Sequence, residues 1–343
     1  MKRMQIEKHQ HIEQCLQRDQ VLKQRGRSVL ILGSANSGKK TFKSLMLRHD
    51  LDSRDGNTQR KLVMAYLVKC LLYCYRQLRI HNDHTYHTSF PNEFEHLEIE
   101  LRISKRQGYL TLGVANFMKY LKQHQDEFLT FTAHHVRYMN NIMHFMNDEY
   151  ASMMSRPSWK PSIVDLLKIK MPSPSKFKSI VEYTSEFDGI RFKFIDPNEQ
   201  EGERRKFISL FQGAVDSVLY FVSLSDYNML DSTSGKNLLD IAFSVAQQVV
   251  SSDYFQASLV LFLTKSDDFK EKLTHYPFTL FFPDFTGNEH DSAQCLEFLK
   301  SRFLMGLDTR APRVYFHVVN LCDTHMMNYV MQAFASINLC VIV

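Results

Sequence analysis

The stretch that decides the fold of this 343-residue chain runs from Val29 to Thr41 and reads VLILGSANSGKKT. A short apolar run, Val29 to Leu32, leads into the pattern G-x-x-x-x-G-K, and helix-forming sequence follows from Phe42 to Leu47. A strand, a glycine-containing loop and a helix in this order are typical of a phosphate-binding loop, in which backbone N–H groups and the positive end of the helix surround phosphate oxygens. The sequence therefore predicts a nucleotide site here.

The metal-binding position of this loop is altered. Lys39 is expected to reach the β- and γ-phosphates, and the next residue ordinarily carries a hydroxyl that binds Mg²⁺. Lys40 occupies that position, and the hydroxyl comes one residue later, at Thr41. Because an ammonium group only donates hydrogen bonds and cannot coordinate a cation, we expect Mg²⁺ binding to be weakened or lost.

Composition narrows the class of protein. Hydrophobic residues make up 44% and charged residues 23% of the chain, which is ordinary for a globular protein with a sizeable core. The net charge of +5 comes from scattered basic residues, whereas a nucleic-acid binder concentrates them, so we expect no nucleic-acid partner. We also expect no secretory leader, no membrane-spanning segment and, since the chain starts Met-Lys-Arg, no N-myristoylation.

Hydrophobic periodicity divides the chain into three parts. Residues 1–26 are polar with sparse apolar positions and predict an N-terminal helix. Residues 58–165 show helical spacing without strand alternation, which predicts an inserted all-helical domain. The parts 27–57 and 166–343 together predict an α/β domain with a mostly parallel sheet, because short apolar runs alternate there with helical patterns. The predicted strands are Val29–Leu32, Ile190–Ile195, Val218–Leu224, Leu259–Leu263 and Val314–Val319. Ligands of such sheets bind where the carboxyl ends of the strands meet.

The loops at these strand ends carry an ordered set of motifs. Tyr227 lies in an S-D-Y ending after a buried strand, and a T-K-S-D motif ends at Asp267. The chain resembles the α subunit of heterotrimeric G proteins over nearly its full length, and T-K-S-D corresponds to the guanine-reading N-K-x-D of that family. The segments that carry the resemblance are WKPSIVDLL (159–167), FIDPNEQEGERRKF (194–207), FQGAVDSVLYFVSLSDYN (211–228), LFLTKSD (261–267) and NLCDT (320–324).

This resemblance implies a fold and a function. The fold is a Ras-like P-loop GTPase domain with an inserted helical domain and an N-terminal helix. The function is a GDP/GTP switch that couples a transmembrane receptor to effectors, with the GDP form holding a βγ dimer. Such proteins are cytoplasmic and peripheral at the inner face of the plasma membrane. The expected cofactors are GDP or GTP with Mg²⁺.

The resemblance also implies which residues contact nucleotide. The phosphate loop, the end of the helical insertion, switch II, the T-K-S-D motif and the N-L-C-D-T motif all contribute. Thr264 replaces an Asn, which we expect to weaken the tethering of the phosphate loop more than base reading. The predicted nucleotide-binding residues are Gly33, Ser34, Ala35, Asn36, Ser37, Gly38, Lys39, Lys40, Thr41, Leu167, Lys168, Asp196, Thr264, Lys265, Asp267 and Leu321.

The catalytic and metal positions depart from the family pattern. Gln200 matches the water-positioning glutamine, with a solvent-facing switch residue as the alternative. Lys170 stands where the family has its internal arginine finger, and a solvated loop lysine is the alternative. The switch I metal ligand aligns with Ser173 from one side and with Phe177 from the other. The two switch II glycines are replaced at positions 198–199 by Asn and Glu, and the Glu adds repulsion near the third phosphate.

Two functions are compatible with these substitutions. The first is a divergent G-protein α subunit whose GTP hydrolysis is impaired, because an arginine finger accounts for roughly 10³ to 10⁵ in turnover. The second is a pseudo-GTPase scaffold that binds βγ or another partner without a nucleotide cycle. The sequence does not decide whether the chain is an active GTPase.

Overall fold

The computed structural model describes residues 26–47, 55–82, 94–124, 142–169, 180–197, 215–231, 233–250, 257–307 and 314–340. For residues 80–82 and 338–340 only the backbone is described. The chain divides into two compact units, Met1–Met46 with Pro174–Val343, and Leu47–Ser173. The N-terminal helix predicted over residues 1–26 lies outside the described residues. The predicted domain limits, at 57/58 and 165/166, stay predictions.

The α/β unit begins with strand β1, Arg27–Gly33, and helix α1, Lys39–Met46. Val29 and Ile31 are fully buried, and their neighbours Leu30 and Leu32 are 2% exposed, so both faces of β1 are covered. Such a strand reads as a continuous apolar run instead of an alternating one, which is why its sequence predicts it well.

The helical unit contains five described helices. Its longest, α2, spans Gly56–Asn82. It contributes Val63, Leu67 and Leu71, all fully buried, to an apolar core that the other helices complete. The remaining four are α3, Leu97–Gln107; α4, Leu112–Gln123; α5, Asp148–Met154; and α6, Ile163–Lys168.

A buried carboxylate organises the last part of the helical unit. Asp165 is fully buried and forms a capping box with Ser162 at the start of α6. Its Oδ1 also accepts a hydrogen bond from the Tyr150 hydroxyl at 2.7 Å and lies 2.9 Å from His144 Nε2. Burial raises the pKa of Asp165, but the hydrogen bonds from these three residues outweigh it and hold the pKa below its usual value.

The rest of the α/β unit adds five strands to β1. They are β2, Ile180–Phe187; β3, Ile190–Pro197; β4, Ser217–Ser223; β5, Ser258–Thr264; and β6, Val314–Val319. The sheet order is β2-β3-β1-β4-β5-β6, and every pair is parallel except β2 with β3, which is antiparallel. The predicted mostly parallel α/β fold is confirmed.

Helices flank this sheet. In chain order they are α7, Leu238–Val250; α8, Ser266–Leu273; α9, Phe278–Phe281; α10, Ser292–Met305; and α11, Thr324–Cys340. On one face, Phe42 of α1 packs its ring against Phe194, Phe221 and Phe262, with centroid distances of 5.4, 5.2 and 6.0 Å. These rings come from β3, β4 and β5, so α1 and the loop before it are held against the middle of the sheet.

Candidate functional site

The loop between β1 and α1 turns sharply at Gly33. Its φ is +145°, and a Cβ added there would lie 2.4 Å from the Phe221 carbonyl oxygen of β4. Only glycine fits this approach without moving backbone. The next residue, Ser34, donates its backbone N–H to the same Phe221 oxygen at 3.3 Å. The start of the loop is thus anchored to the neighbouring strand.

Hydrogen bonds within the loop define its shape. Ser37, 1% exposed, donates its hydroxyl to the Ser34 carbonyl at 2.7 Å. Lys39 Nζ donates to the Gly33 carbonyl, so its side chain lies back across the loop. The Gly38 carbonyl accepts the first helical bond, from Phe42 N at 2.9 Å. The N–H groups in the first turn of α1 have no acceptor within the helix, and this is the arrangement that binds anions.

Thr264, at the end of β5, ties the phosphate loop to the motif that is predicted to read the base. Its side chain is fully buried, and its Oγ1 lies 2.7 Å from the Ser37 carbonyl and 3.1 Å from the Val222 carbonyl. One hydroxyl hydrogen serves one acceptor at a time, and the shorter distance favours Ser37. Thr264, which replaces the Asn of the N-K-x-D pattern, therefore still holds the phosphate loop, through one hydrogen bond.

Leu321 closes the loop from the side of β6. It is 5% exposed, and its Cδ1 would lie 2.5 Å from a Cβ added at Gly38, whose φ is +102°. The leucine side chain thus occupies the space beside the last glycine of the phosphate loop. A substitution at Gly38 would be strained by its backbone and would also displace Leu321.

The carboxylate that is predicted to read the base has a partner to which the sequence motifs assign no role. Asp267 is exposed in the first turn of α8, and its Oδ2 accepts a hydrogen bond from Asn320 Nδ2 at 2.9 Å. Asn320 is itself held, because its Oδ1 accepts the Cys322 N–H at 2.9 Å. Lys265, just before α8, has a left-handed backbone with φ of 58°. A signal existed in the sequence: an amide side chain directly after a buried strand, at the edge where ligands bind.

Asp196 lies near the carboxyl end of β3. The preceding residue, Ile195, pairs with Leu30 of β1. Asp196 therefore lies beside the last residues of β1, close to the start of the phosphate loop. It is half-buried and pairs across the antiparallel ladder with Val181. Burial, with a smaller contribution from the Asp196 charge, raises the pKa of Tyr183 well above its usual value.

The remaining predicted residues fall in three places. Ala35 and Asn36 form the exposed tip of the phosphate loop, and Thr41 is half-buried in the first turn of α1. Leu167 is buried and Lys168 half-buried at the end of α6, in the helical unit. Three predicted residues, and the two switch II substitutions, lie outside the described residues: Lys170, Ser173, Gln200, Asn198 and Glu199.

The donor set of the loop does not fit the divalent cation that the fold implies. Mg²⁺ prefers oxygen ligands in an octahedral arrangement. Lys40, at the position of the ligating hydroxyl, is an exposed cation, and the first turn of α1 carries no acidic residue. Within the described ranges, no group of three or more His, Cys, Asp or Glu side chains could hold a metal ion.

Comparisons with known proteins identify the family of the chain. The chain matches the family model of the G-protein alpha subunit over residues 6–338. It is 26% identical over 345 residues to the G-protein complex alpha subunit gpaA of Aspergillus fumigatus, covering 95% of this chain and 92% of that protein. It is 26% identical over 319 residues to the guanine nucleotide-binding protein alpha-1 subunit of Caenorhabditis briggsae, covering 89% and 86%.

A third relative is a guanine nucleotide-binding protein subunit alpha of Pyricularia oryzae, 25% identical over 339 residues, with 95% of this chain and 92% of that protein covered. In the part of the chain that the structure describes, no helix is both long and apolar enough to cross a membrane. The family match includes residues of both units. The chain belongs to the G-protein alpha subunit family.

Proposed function

We propose that this chain is a guanine nucleotide-binding signal transducer that couples a transmembrane receptor to effectors through a GDP/GTP switch, with impaired GTP hydrolysis. The observation that carries the proposal is the contact between the phosphate loop and the base-reading motif. The Thr264 hydroxyl holds Ser37, and Asn320 holds Asp267. One ligand with a diphosphate at one end and a guanine ring at the other spans these two groups.

Diphosphate and base contacts are the better preserved part of the site. The loop keeps Gly33, Gly38 and Lys39, and an Asp at position 267 can accept both the N1 and N2 hydrogens of guanine. The positions that respond to the third phosphate are the altered ones. Lys170 provides a point charge where the family uses a planar guanidinium, and that loss alone costs roughly 10³ to 10⁵ in turnover.

Two further changes support weak switching. Glu199 places a negative charge beside the expected γ-phosphate, and Asn198 replaces a glycine. Lys40 in place of a hydroxyl weakens or removes Mg²⁺ binding. We therefore propose that GDP binds and that GTP neither binds as well nor drives the full conformational change. Gln200 orients the attacking water if hydrolysis occurs.

The proposed partners follow from the family. They are a βγ dimer, a G protein-coupled receptor and an effector, and the proposed location is cytoplasmic, at the inner face of the plasma membrane. Nucleic acid is not among the proposed partners, because the basic residues are scattered.

Titration of the purified full chain with mant-GDP and mant-GTPγS tests the proposal. We expect saturable binding of mant-GDP and weaker binding of mant-GTPγS. The variant Lys39→Ala should lose mant-GDP binding, whereas Lys43→Ala, one turn further along α1, should retain it. Failure of the wild-type chain to bind either nucleotide at micromolar concentrations would refute the proposal.

A second function, the pseudo-GTPase scaffold, is favoured by the same substitutions at Lys40 and Lys170 and at positions 198–199. Capture of a βγ dimer distinguishes the two. Release of βγ on addition of GTPγS supports the switch, and capture that is insensitive to nucleotide supports the scaffold.

A further inference from the structure

We infer that Lys40 supplies, as a tethered ammonium, the positive charge that a divalent cation brings to related phosphate loops, so that guanine nucleotide binds this chain without Mg²⁺. The inference rests on the proposed nucleotide function and goes beyond it, since it names the group that takes the place of the metal. It starts from the observation that the side chains of the phosphate loop do not suit a divalent cation.

The first step is the position of Lys40. It is the second residue of α1 and follows Lys39, so two cationic side chains stand in the turn whose backbone N–H groups have no acceptor within the helix. Positive charge at a helix N-terminus is unfavourable unless an anion neutralises it. No acidic residue in the first turn of α1 does so. The arrangement is therefore suited to a highly anionic ligand.

The second step is that the two lysines have different surroundings. Lys39 Nζ donates to the Gly33 carbonyl and lies against the loop. Lys40 is exposed, and it has no hydrogen bond or ion pair with another described residue. Its ammonium can therefore approach an incoming phosphate without breaking a contact within the described part of the chain.

The third step concerns the metal itself. A lysine offers three donors and no acceptor, so Lys40 cannot be a ligand and repels a cation placed beside it. A divalent ion at this loop would have to displace the ammonium that already neutralises the phosphates. Mg²⁺ also dehydrates reluctantly and demands near-ideal oxygen geometry. Lys40 and Mg²⁺ are therefore alternatives at this position.

The fourth step is a preference among nucleotides. A divalent ion would bring two positive charges to the phosphates, whereas the Lys40 ammonium brings one and acts by hydrogen bonds only. A triphosphate carries one more negative charge than a diphosphate, with no additional cation to meet it. The Lys40 arrangement therefore favours GDP over GTP, with or without Mg²⁺.

The test is mant-GDP titration of the full chain in EDTA and in excess Mg²⁺, with three proteins. We expect the wild-type dissociation constant to change less than about threefold between the two conditions. In EDTA, Lys40→Ser should bind about tenfold more weakly, the size expected for loss of one hydrogen bond to a charged group. Excess Mg²⁺ should restore much of that loss, because the variant regains a hydroxyl ligand.

Lys43→Ser is the matched control. It removes the same charge from the same helix, where Lys43 lies over the Tyr183 ring at 5.6 Å from its centroid. We expect its mant-GDP affinity to stay within about threefold of wild type in both conditions. Thermal unfolding without nucleotide checks that both variants fold, as the exposure of Lys40 leads us to expect.

Each contrary result has a distinct meaning. Wild-type binding that requires Mg²⁺ would overturn the inference and leave the proposed function standing. The same holds if Lys40→Ser binds mant-GDP in EDTA as tightly as wild type. Absence of mant-GDP binding in both conditions would refute the proposed function and this inference together.

Discussion

Removal of the Thr264 hydroxyl tests whether the phosphate loop is held by the hydrogen bond that the structure shows. Thr264→Val keeps the branched shape and replaces only the hydroxyl, by a methyl group. The side chain is fully buried, and its Oγ1 lies 2.7 Å from the Ser37 carbonyl. The change leaves that buried acceptor unpaired and places a methyl group against it. An unsatisfied buried polar group costs about 1–3 kcal/mol.

The expected loss appears in two measurements. Chemical denaturation followed by far-UV circular dichroism should show the α/β unit destabilised by about 1–3 kcal/mol. Each 1.4 kcal/mol lost from the free energy that keeps the phosphate loop ordered should weaken mant-GDP binding by up to about tenfold. Two variants serve as controls: Thr264→Ser keeps the hydroxyl and should stay near wild type in affinity, and Thr264→Asn restores the residue of the N-K-x-D pattern.

One result would refute this reasoning. If Thr264→Val matches wild type in both stability and mant-GDP affinity while Thr264→Ser does the same, the hydroxyl is not the tether. The loop would then be held by its bonds to β4 and by the packing of Leu321 against Gly38. Hydrogen exchange of the loop amides in the two variants would show which of these contacts remains.

Three further changes probe the site and the helical unit. Asn320→Ala should free Asp267 and weaken mant-GDP binding by about 0.5–1.5 kcal/mol. Mant-IDP is titrated alongside, and an unchanged ratio of the mant-GDP and mant-IDP affinities would argue that Asn320 does not position Asp267. Gly33→Ala should abolish soluble folding or nucleotide binding, because its Cβ would lie 2.4 Å from the Phe221 carbonyl; ordinary expression with wild-type thermal stability would contradict this. Asp165→Asn should cost about 1–3 kcal/mol near neutral pH, measured by denaturation. The folded-state pKa of Asp165 is lowered, so the stability that its carboxylate contributes is present above the unfolded pKa of about 4 and disappears as the pH falls through the folded pKa. If the wild type is still more stable than Asp165→Asn below the folded pKa, the ionised carboxylate is not the source of that stability.

Buried strands were predictable because burial on both faces leaves a continuous apolar run. The runs at positions 29–32 and 259–263 lie in β1 and β5, and the run at 218–224 lies in β4 except for Leu224, which follows the end of the strand. The run at 314–319 coincides with β6, an edge strand whose residues are half-buried except Val319, so it was predictable from its apolar residues and not from burial on both faces. Strand β2 is different. It lies at the edge, and of its residues only Tyr183 is buried, while Glu182, Thr184 and Glu186 are exposed. An edge strand that is solvated on one face carries a weak apolar signal, so no strand is predicted there from the sequence.

Several helices were not delimited individually from the sequence, for a related reason, although α3 lies within the segment predicted to be helical. Helix α3 buries only Leu97, Leu101 and Ser104, and its other positions are mostly charged. Helix α8 has eight residues and starts at a left-handed Lys265. Short helices contain too few turns for periodicity to stand out, and their stability comes from tertiary packing more than from their own propensity. Whether such helices form depends on the surfaces that they pack against.

The base-reading edge shows what tertiary structure adds to a motif. The order of the motifs along the chain identified Thr264 and Asp267 as candidates, since parallel strands bring their carboxyl ends to one edge. Asn320 follows a different strand, 53 residues from Asp267. No local pattern specifies that its amide meets this carboxylate, because the contact depends on the registers of β5 and β6.

By itself, the sequence determined the fold class, the phosphate loop and the family, because these depend on local apolar runs, glycine positions and the order of motifs. Only the tertiary structure decided how the loop is held. The single hydroxyl of Thr264 reaches Ser37 across 227 positions of sequence, and Leu321 fills the space at Gly38. Contacts of this kind come from the sheet order and register, which bring distant strand ends within hydrogen-bonding distance. The stretch from Val29 to Thr41 thus specifies a phosphate loop, and the neighbouring strands give it its shape.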